Sequence, residues 1–135
     1  MSSKTNVAII DDDSLVLYTT NLLLSHLYPN IQIRIYKNPE EFIKLIQEGD
    51  LDIPELIFCD YDMPQMTGAE VHDAIVSLVK DKPKKLEFYL ISSRPSLDSV
   101  ALEFKSDFFS GFHLKPLDQN KLSNILKQTQ FNLVN

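Results

Sequence analysis

The sequence contains a single cysteine, Cys59, among its 135 residues. One cysteine excludes an internal disulfide and a zinc site built on several cysteines, which agrees with a reducing compartment. Cys59 lies in an apolar run and is interpreted as a small packed strand residue.

Long apolar runs are missing as well. No run approaches the ~18 residues needed to span a bilayer. The run nearest the N-terminus, Val7 to Ile10, is shorter than the roughly 7–15 residues of a signal-peptide core. We therefore expect a cytoplasmic chain without a membrane partner.

Basic charge is scarce, because 13 Lys and Arg face 19 Asp and Glu for a net charge of -6. Such a field repels nucleic acid, so direct binding of DNA or RNA would need a concentrated basic patch. The nearest candidate, "KDKPKK" at residues 80–85, is interpreted as a solvated loop. The length suits one domain, residues 1–135 with a core over about 5–130, and we expect no output domain.

Short strand-like runs alternate with helical patterns along the chain. The patterns predict a helix after each run, including one that starts at Asn38-Pro39 and a fourth after Pro95 with Val100 and Phe104 on one face. Ser14 is available to cap the first helix. Five strands alternating with five helices predict an α/β fold with a parallel sheet covered on both faces. The predicted strands are "NVAII" (6–10), "IQIRIY" (31–36), "ELIFC" (55–59), "LEFYLIS" (86–92) and "GFHL" (111–114).

Acidic residues follow two of these runs. The first is followed by Asp11, Asp12 and Asp13, and the third by Asp60. Because the carboxyl ends of parallel strands meet at one edge of the sheet, these carboxylates are expected to converge and to need a cation, for which Mg²⁺ suits oxygen ligands. The fourth and fifth runs end near a hydroxyl, Ser92, and an ammonium, Lys115, which would complete a site for a phosphoryl group.

At this point the chain resembles the receiver domains of two-component response regulators, in a stand-alone form similar to chemotaxis regulators. The resemblance rests on four features in order: the acidic pair after the first strand, the D-x-x-M-P-x-x-x-G segment from Asp60 to Gly68, the hydroxyl after the fourth strand, and Lys115-Pro116 after the fifth. It covers nearly the whole chain. It implies a flavodoxin-like (βα)5 fold with strand order 2-1-3-4-5.

The resemblance also implies a role for each site residue. Asp60 would accept a phosphoryl group from a histidine kinase or a histidine phosphotransfer protein. Asp12 and Asp60 would bind Mg²⁺ directly, Asp62 through its backbone carbonyl, and Asp11 through water. Lys115 would bind a phosphoryl oxygen, aimed by a cis bond before Pro116.

Phosphorylation would then switch a binding surface for an unknown downstream protein. Ser92 would move to the phosphoryl group and Phe112 would rotate inward, changing the face made by the fourth helix, the fifth strand and the fifth helix. The protein would act as a monomer or as a phosphorylation-dependent dimer. Many receivers have Gly-Ala before the fifth strand, whereas this chain has "KSDFFSGF" (105–112), so that connection is expected to be unusual.

Several alternatives stay open. Asp12 and Asp13 could be the working acidic pair, with Asp13 otherwise a helix-start residue, and Ser93 could replace Ser92. Phe112 could be an ordinary core residue. We hypothesise that Asp62 and Arg94 pair across the mouth of the pocket and slow loss of the phosphoryl group. The three histidines lack clustered ligand partners and are interpreted as structural or surface residues.

Two other functional classes compete with the phosphoacceptor. A pseudo-receiver would keep the fold and bind partners without phosphate. An aspartate-nucleophile phosphatase of the haloacid dehalogenase class would use Asp60-x-Asp62 for turnover, but such enzymes usually place this motif at the first strand. We therefore expect a signalling protein that is not a turnover enzyme.

Overall fold

The short apolar runs of the sequence form the strands of one parallel sheet. The computed structural model describes residues 4–94, 100 and 102–134. Extended backbone lets successive side chains point to the two faces in turn, which suits apolar runs of this length. The strands are β1 (Asn6–Ile10), β2 (Gln32–Tyr36), β3 (Leu56–Asp60), β4 (Glu87–Ser92) and β5 (Phe109–Leu114).

The strands are ordered β2-β1-β3-β4-β5, and every neighbouring pair is parallel. All residues of the central strand β3 are buried, as its uninterrupted apolar run indicates. The predicted α/β fold and its flavodoxin-like order 2-1-3-4-5 are confirmed. Within the described residues the helices are α1 (Ser14–Leu27), α2 (Pro39–Gln47), α3 (Gly68–Asp81) and α4 (Gln119–Leu126).

The helices cover both faces of the sheet. Ala8 and Ile10 of β1 belong to a core cluster shared with α2 and α3, while Val7 and Ile9 belong to a second cluster shared with α1 and α4. Because both faces are buried, polar groups gather at the strand ends. The helical members of the first cluster include Phe42, Ile46, Val71 and Ile75, and those of the second include Leu17, Leu24, Leu122 and Leu126.

Polar side chains cap the starts of the helices. The cap of α1 is Asp13, whose Oδ1 accepts from the Leu15 N–H at 2.9 Å, and Ser14 is the first helical residue. The expectation that Ser14 is the cap is therefore wrong by one residue. Asn38 caps α2 ahead of Pro39, as the sequence predicts, and Thr67 forms a capping box with Glu70 at the start of α3.

The helix predicted after Pro95 falls mostly on residues 95–99 and 101, outside the described part of the chain. Val100 and Phe104, two of its predicted core residues, are buried. Within the described ranges, no helix combines the length and hydropathy that crossing a membrane requires.

A bulge lengthens β5 relative to its predicted start at Gly111. Phe88 of β4 pairs with Phe109, but the next residue, Tyr89, pairs with Gly111, which leaves Ser110 as the extra residue. Gly111 has φ +135°, a backbone conformation that glycine adopts far more readily than other residues. The strand thus begins two residues earlier than the apolar run suggests.

Candidate functional site

The carboxyl ends of β1 and β3 bring three carboxylates together. Ile10 pairs with Cys59, so Asp11 and Asp60 follow side by side. Asp11 and Asp60 are 2% and 5% exposed, and oxygens of Asp11, Asp12 and Asp60 lie within 4.8 Å of one another. Burial, and secondly the charge of Asp11, raises the pKa of Asp60 to about 6. The cluster is thus short of positive charge.

Lys115 supplies one cation to this cluster. Its Nζ lies 2.7 Å from Asp11 Oδ2 and 3.3 Å from Asp60 Oδ1. Burial disfavours the charge of Lys115, but the hydrogen bond from Lys115 to Asp11 and the charges of both acids outweigh this and raise its pKa. Two backbone features hold the lysine: its N–H donates to Ser92 O at 2.8 Å, and the bond from Lys115 to Pro116 is cis.

Asp11 has little capacity left for a metal. Its Oδ1 accepts from the Asp13 N–H at 2.9 Å, while its Oδ2 contacts Lys115. Asp13 turns its own side chain to the start of α1. Asp12 and Asp60 therefore hold the freer carboxylate oxygens, and such all-oxygen donor sets fit a hard divalent cation such as Mg²⁺.

Ser92, the last residue of β4, is fully buried, whereas Ser93 is exposed. The Ser92 Oγ accepts from the Arg94 N–H at 3.1 Å. A hydroxyl that accepts a hydrogen bond still has its own proton to donate. Ser92 can therefore donate to an anion at this edge of the sheet.

Asp62 and Arg94 form a two-pronged ion pair. Arg94 Nε donates to Asp62 Oδ2 and Nη2 donates to Oδ1, each at 2.8 Å, and both side chains are 49% exposed. The hydrogen bonds from Arg94 lower the pKa of Asp62. The guanidinium also lies 5.1 Å from the centre of the Tyr61 ring, a cation–π contact.

Tyr61 is a participant that the sequence reasoning missed. Its ring is largely buried beneath Arg94, and its hydroxyl donates to Glu103 Oε2 at 3.4 Å. The only signal in the sequence was an aromatic residue directly after Asp60, which strand periodicity alone assigns to packing. The contact with the Tyr61 ring therefore stabilises the Arg94 side chain in the position where it pairs with Asp62.

Phe112 and Cys59 lie near the site without entering the carboxylate cluster. Phe112 is half-buried in β5 and packs against the core cluster on the α2 and α3 face. Cys59 is fully buried, and burial raises the pKa of its thiol well above the usual value. The thiol is therefore protonated and inert.

Gly68 closes the loop that follows Asp60. Its N–H donates to Tyr61 O at 2.8 Å, which draws the start of α3 against the end of β3. A Cβ on Gly68 would lie 2.7 Å from Asp60 O and 2.7 Å from Leu90 Cδ1. The glycine is required because backbone and side chain approach too closely for any other residue.

Gly68→Ala is therefore expected to destabilise the protein. In most helices alanine is more stabilising than glycine. At position 68 the added methyl group would overlap the backbone at Asp60, so we expect a loss of about 1–3 kcal/mol in the free energy of unfolding. Urea unfolding followed by circular dichroism would measure it. A variant as stable as the wild type would show that the loop relaxes without cost.

Comparisons with known proteins agree on one family. The sequence profile of the response regulator receiver domain matches residues 7–127. The two-component response regulator ORR1 of rice (Oryza sativa subsp. japonica) is 28% identical over 125 residues, which cover 89% of this chain and 54% of that protein. An uncharacterized response regulatory protein of Shewanella oneidensis is 27% identical over 125 residues, covering 93% of this chain and 48% of its own length. This chain thus spans about half the length of these relatives.

A solved structure shows the same fold at lower identity. The chemotaxis response regulator CheY4 of Vibrio cholerae is similar with a TM-score of 0.72 at 19% sequence identity, covering 93% of this chain and 98% of that one. Likeness at this identity concerns the arrangement of strands and helices.

Proposed function

The chain belongs to the response regulator receiver domain family, and on that premise we propose that Asp60 accepts a phosphoryl group from the phosphohistidine of a histidine kinase or a histidine phosphotransfer protein. One observation carries the proposal: Asp60 is buried at the end of β3 beside two further acids and the ammonium of Lys115. A carboxylate oxygen of Asp60 forms the new O–P bond while the P–N bond of the donor breaks, and the imidazole nitrogen keeps that bond's electrons.

The surrounding residues neutralise and orient the transferred group. Lys115 binds one phosphoryl oxygen as its contact with Asp60 loosens, while its contact with Asp11 holds it in place. Ser92 donates its hydroxyl proton to a second oxygen. Little covalent chemistry is asked of these groups, because phosphoryl transfer is accelerated mainly by positioning and charge neutralisation.

Mg²⁺ would be held by Asp12, Asp60 and the backbone carbonyl of Asp62, with Asp11 acting through water. Bound there, the ion supplies positive charge to the phosphoryl oxygens. The assignment of Asp12 over Asp13 is supported by the hydrogen bond that turns Asp13 toward Leu15.

Phosphorylation would be read by a downstream protein. In this proposal Ser92 and Phe112 carry the change to the face formed by the segment before β5, by β5 itself and by α4. Phe112 is only half-buried and borders an open groove against α4, so it has room for a second position. The protein thus transmits a signal in a phosphorelay, and any hydrolysis of its own acyl phosphate is slow and stoichiometric.

A small phosphodonor tests the proposal without the kinase. We expect acetyl phosphate with Mg²⁺ to add one phosphoryl group per chain, seen by intact-mass spectrometry, and chelation of Mg²⁺ to prevent it. If the chain stays unlabelled and its spectra do not change on addition of beryllofluoride, a phosphate-independent pseudo-receiver would be favoured. Continuous release of phosphate from small phosphomonoesters would favour a phosphatase.

Arg94→Ala is expected to shorten the lifetime of the acyl phosphate several-fold. In this proposal the observed Asp62–Arg94 pair guards the mouth of the pocket, where water would reach the phosphoryl group, and removing the guanidinium would open that path. The decay of labelled protein in acid-quenched samples measures the lifetime. Arg34→Ala removes the one other arginine, whose side chain is exposed on β2, and is the matched control. An Arg94→Ala lifetime equal to those of the wild type and of Arg34→Ala would refute a guarding role.

A further inference from the structure

An open groove of about 520 Å³ lies between the C-terminal half of α3 and the segment before β5. The helix runs back from the carboxyl ends of the strands, so the groove is at the amino edge of the sheet, away from Asp60. Its floor is apolar, formed by Val76, Val79, Leu86 and Phe108. Nothing in the phosphoryl chemistry uses this surface.

Lysines form the rim of the groove. Lys80, Lys84, Lys85 and Lys105 line it together with one acid, Asp107. Lys84 is occupied by Glu55, at 2.7 Å. The other three are exposed, and among the described residues no carboxylate lies within 4.0 Å of their ammonium groups. In a chain of net charge -6 this is a local reversal of sign.

The far wall of the groove is held in place by a buried histidine. His72 of α3 is 1% exposed, and its Nε2 lies 2.7 Å from Ser106 Oγ. The His72 ring packs against Phe104 and Phe108 at centroid distances of 5.1 Å each. The Phe88 N–H donates to Phe108 O at 2.9 Å, which ties the same wall to β4. The groove is therefore formed before any partner arrives, which lowers the cost of binding.

We propose that this groove is a docking site for an acidic, amphipathic protein segment, with apolar side chains against Val76, Val79 and Phe108 and carboxylates against Lys80, Lys85 and Lys105. The lysine rim attracts an acidic partner, and the net negative charge of the chain disfavours binding of that partner elsewhere on the surface. The apolar floor favours a protein over a nucleic acid: the described lining offers one aromatic ring, Phe108, and no row of stacking faces. In this proposal the run at residues 80–85, which the sequence analysis interprets as a solvated loop, contributes lysines to a binding surface.

Panning a random 12-residue peptide library on the full chain tests the proposal. We expect enriched peptides in which Asp or Glu alternates with Leu, Ile or Phe, and at least a tenfold loss of their affinity on K80E/K85E/K105E, with the fold checked by circular dichroism. Lys44→Glu, at an exposed lysine of α2, should leave affinity unchanged.

Raising the salt concentration from 50 to 300 mM should weaken these peptides, because part of the attraction is between exposed charges. Val79→Asn should also weaken binding of the peptides, because it removes an apolar side chain from the floor of the groove. Enriched peptides without acids, or binding indifferent to the triple change, would overturn the proposal. Tighter binding of a 20-nucleotide single strand or of phosphatidylserine vesicles than of any peptide would overturn it in favour of those partners.

Discussion

Asp60→Asn is expected to abolish labelling by acetyl phosphate and to stabilise the unlabelled protein by about 2 kcal/mol at pH 7. The amide is no nucleophile toward phosphorus, so labelling should fall to background. The stability gain follows first from the burial of the Asp60 carboxylate and secondly from its closeness to Asp11 and Asp12.

The sign of the stability change follows from the pKa of Asp60. Its folded value of about 6 lies above the ordinary 3.8, so protonation favours the folded state. The stability that the protonated Asp60 side chain contributes is fully present below pH 3.8 and is lost as the pH rises through about 6. At pH 7 the ionised carboxylate therefore opposes folding. A pKa shift of this size corresponds to about 3 kcal/mol in the free energy of unfolding. The asparagine side chain of the variant is also buried and has a desolvation cost of its own, so the expected gain is smaller.

Intact mass and urea unfolding in the absence of Mg²⁺ measure the two effects of Asp60→Asn. Asp50→Asn, at an exposed acid after α2, is the control and should change neither. Persistent labelling of Asp60→Asn would mean that another side chain is the acceptor. A less stable variant would mean that the carboxylates do not repel one another as their burial indicates.

Lys115→Met is expected to destabilise the protein by about 3 kcal/mol at pH 7.5, the usual cost of removing one partner from a buried ion pair. Methionine keeps most of the side-chain volume but leaves Asp11 and Asp60 without a cation. The same variant should label much more slowly with acetyl phosphate, because a phosphoryl oxygen loses its ammonium partner.

The destabilisation should depend on pH and on Mg²⁺. Burial raises the pKa of both acids, and that of Asp60 to about 6. Asp60 therefore takes up a proton as the pH falls below about 6, and the difference from wild type should shrink at pH 5. Added Mg²⁺ should restore part of the stability at pH 7.5 because it binds the folded state. Urea unfolding at both pH values tests this, with Lys44→Met as the surface control. If the loss of stability in Lys115→Met were the same at both pH values and with and without Mg²⁺, its cause would be lost packing and not lost charge.

The sequence predicted most of the fold because apolar runs and helix caps are local signals. Asn38-Pro39 marked the start of α2, and the run ending at Cys59 marked the buried central strand. The start of β5 was missed because a bulge depends on how Phe88 and Tyr89 pair with another strand, which local periodicity does not contain. The strand order came with the family resemblance, since it depends on which strands become neighbours.

The site was predictable where topology alone determines position. Asp11 and Asp60 end neighbouring strands, so their meeting follows from strand order. The contact of Tyr61 with Arg94 depends on side-chain rotamers and could not be inferred. The lysine-rimmed groove was hidden for another reason: Lys80 and Lys105 are far apart in sequence, and their segments meet through tertiary contacts such as that of His72 with Ser106.

The central claim is that Asp60 is the phosphoryl acceptor, and locating the phosphoryl group tests it most directly. The protein is labelled with acetyl phosphate and Mg²⁺, reduced with borohydride to convert an aspartyl phosphate to homoserine, digested, and sequenced by mass spectrometry. The account predicts conversion at position 60 alone. Conversion at Asp11, Asp12 or Asp62, or no conversion at any residue, would contradict it.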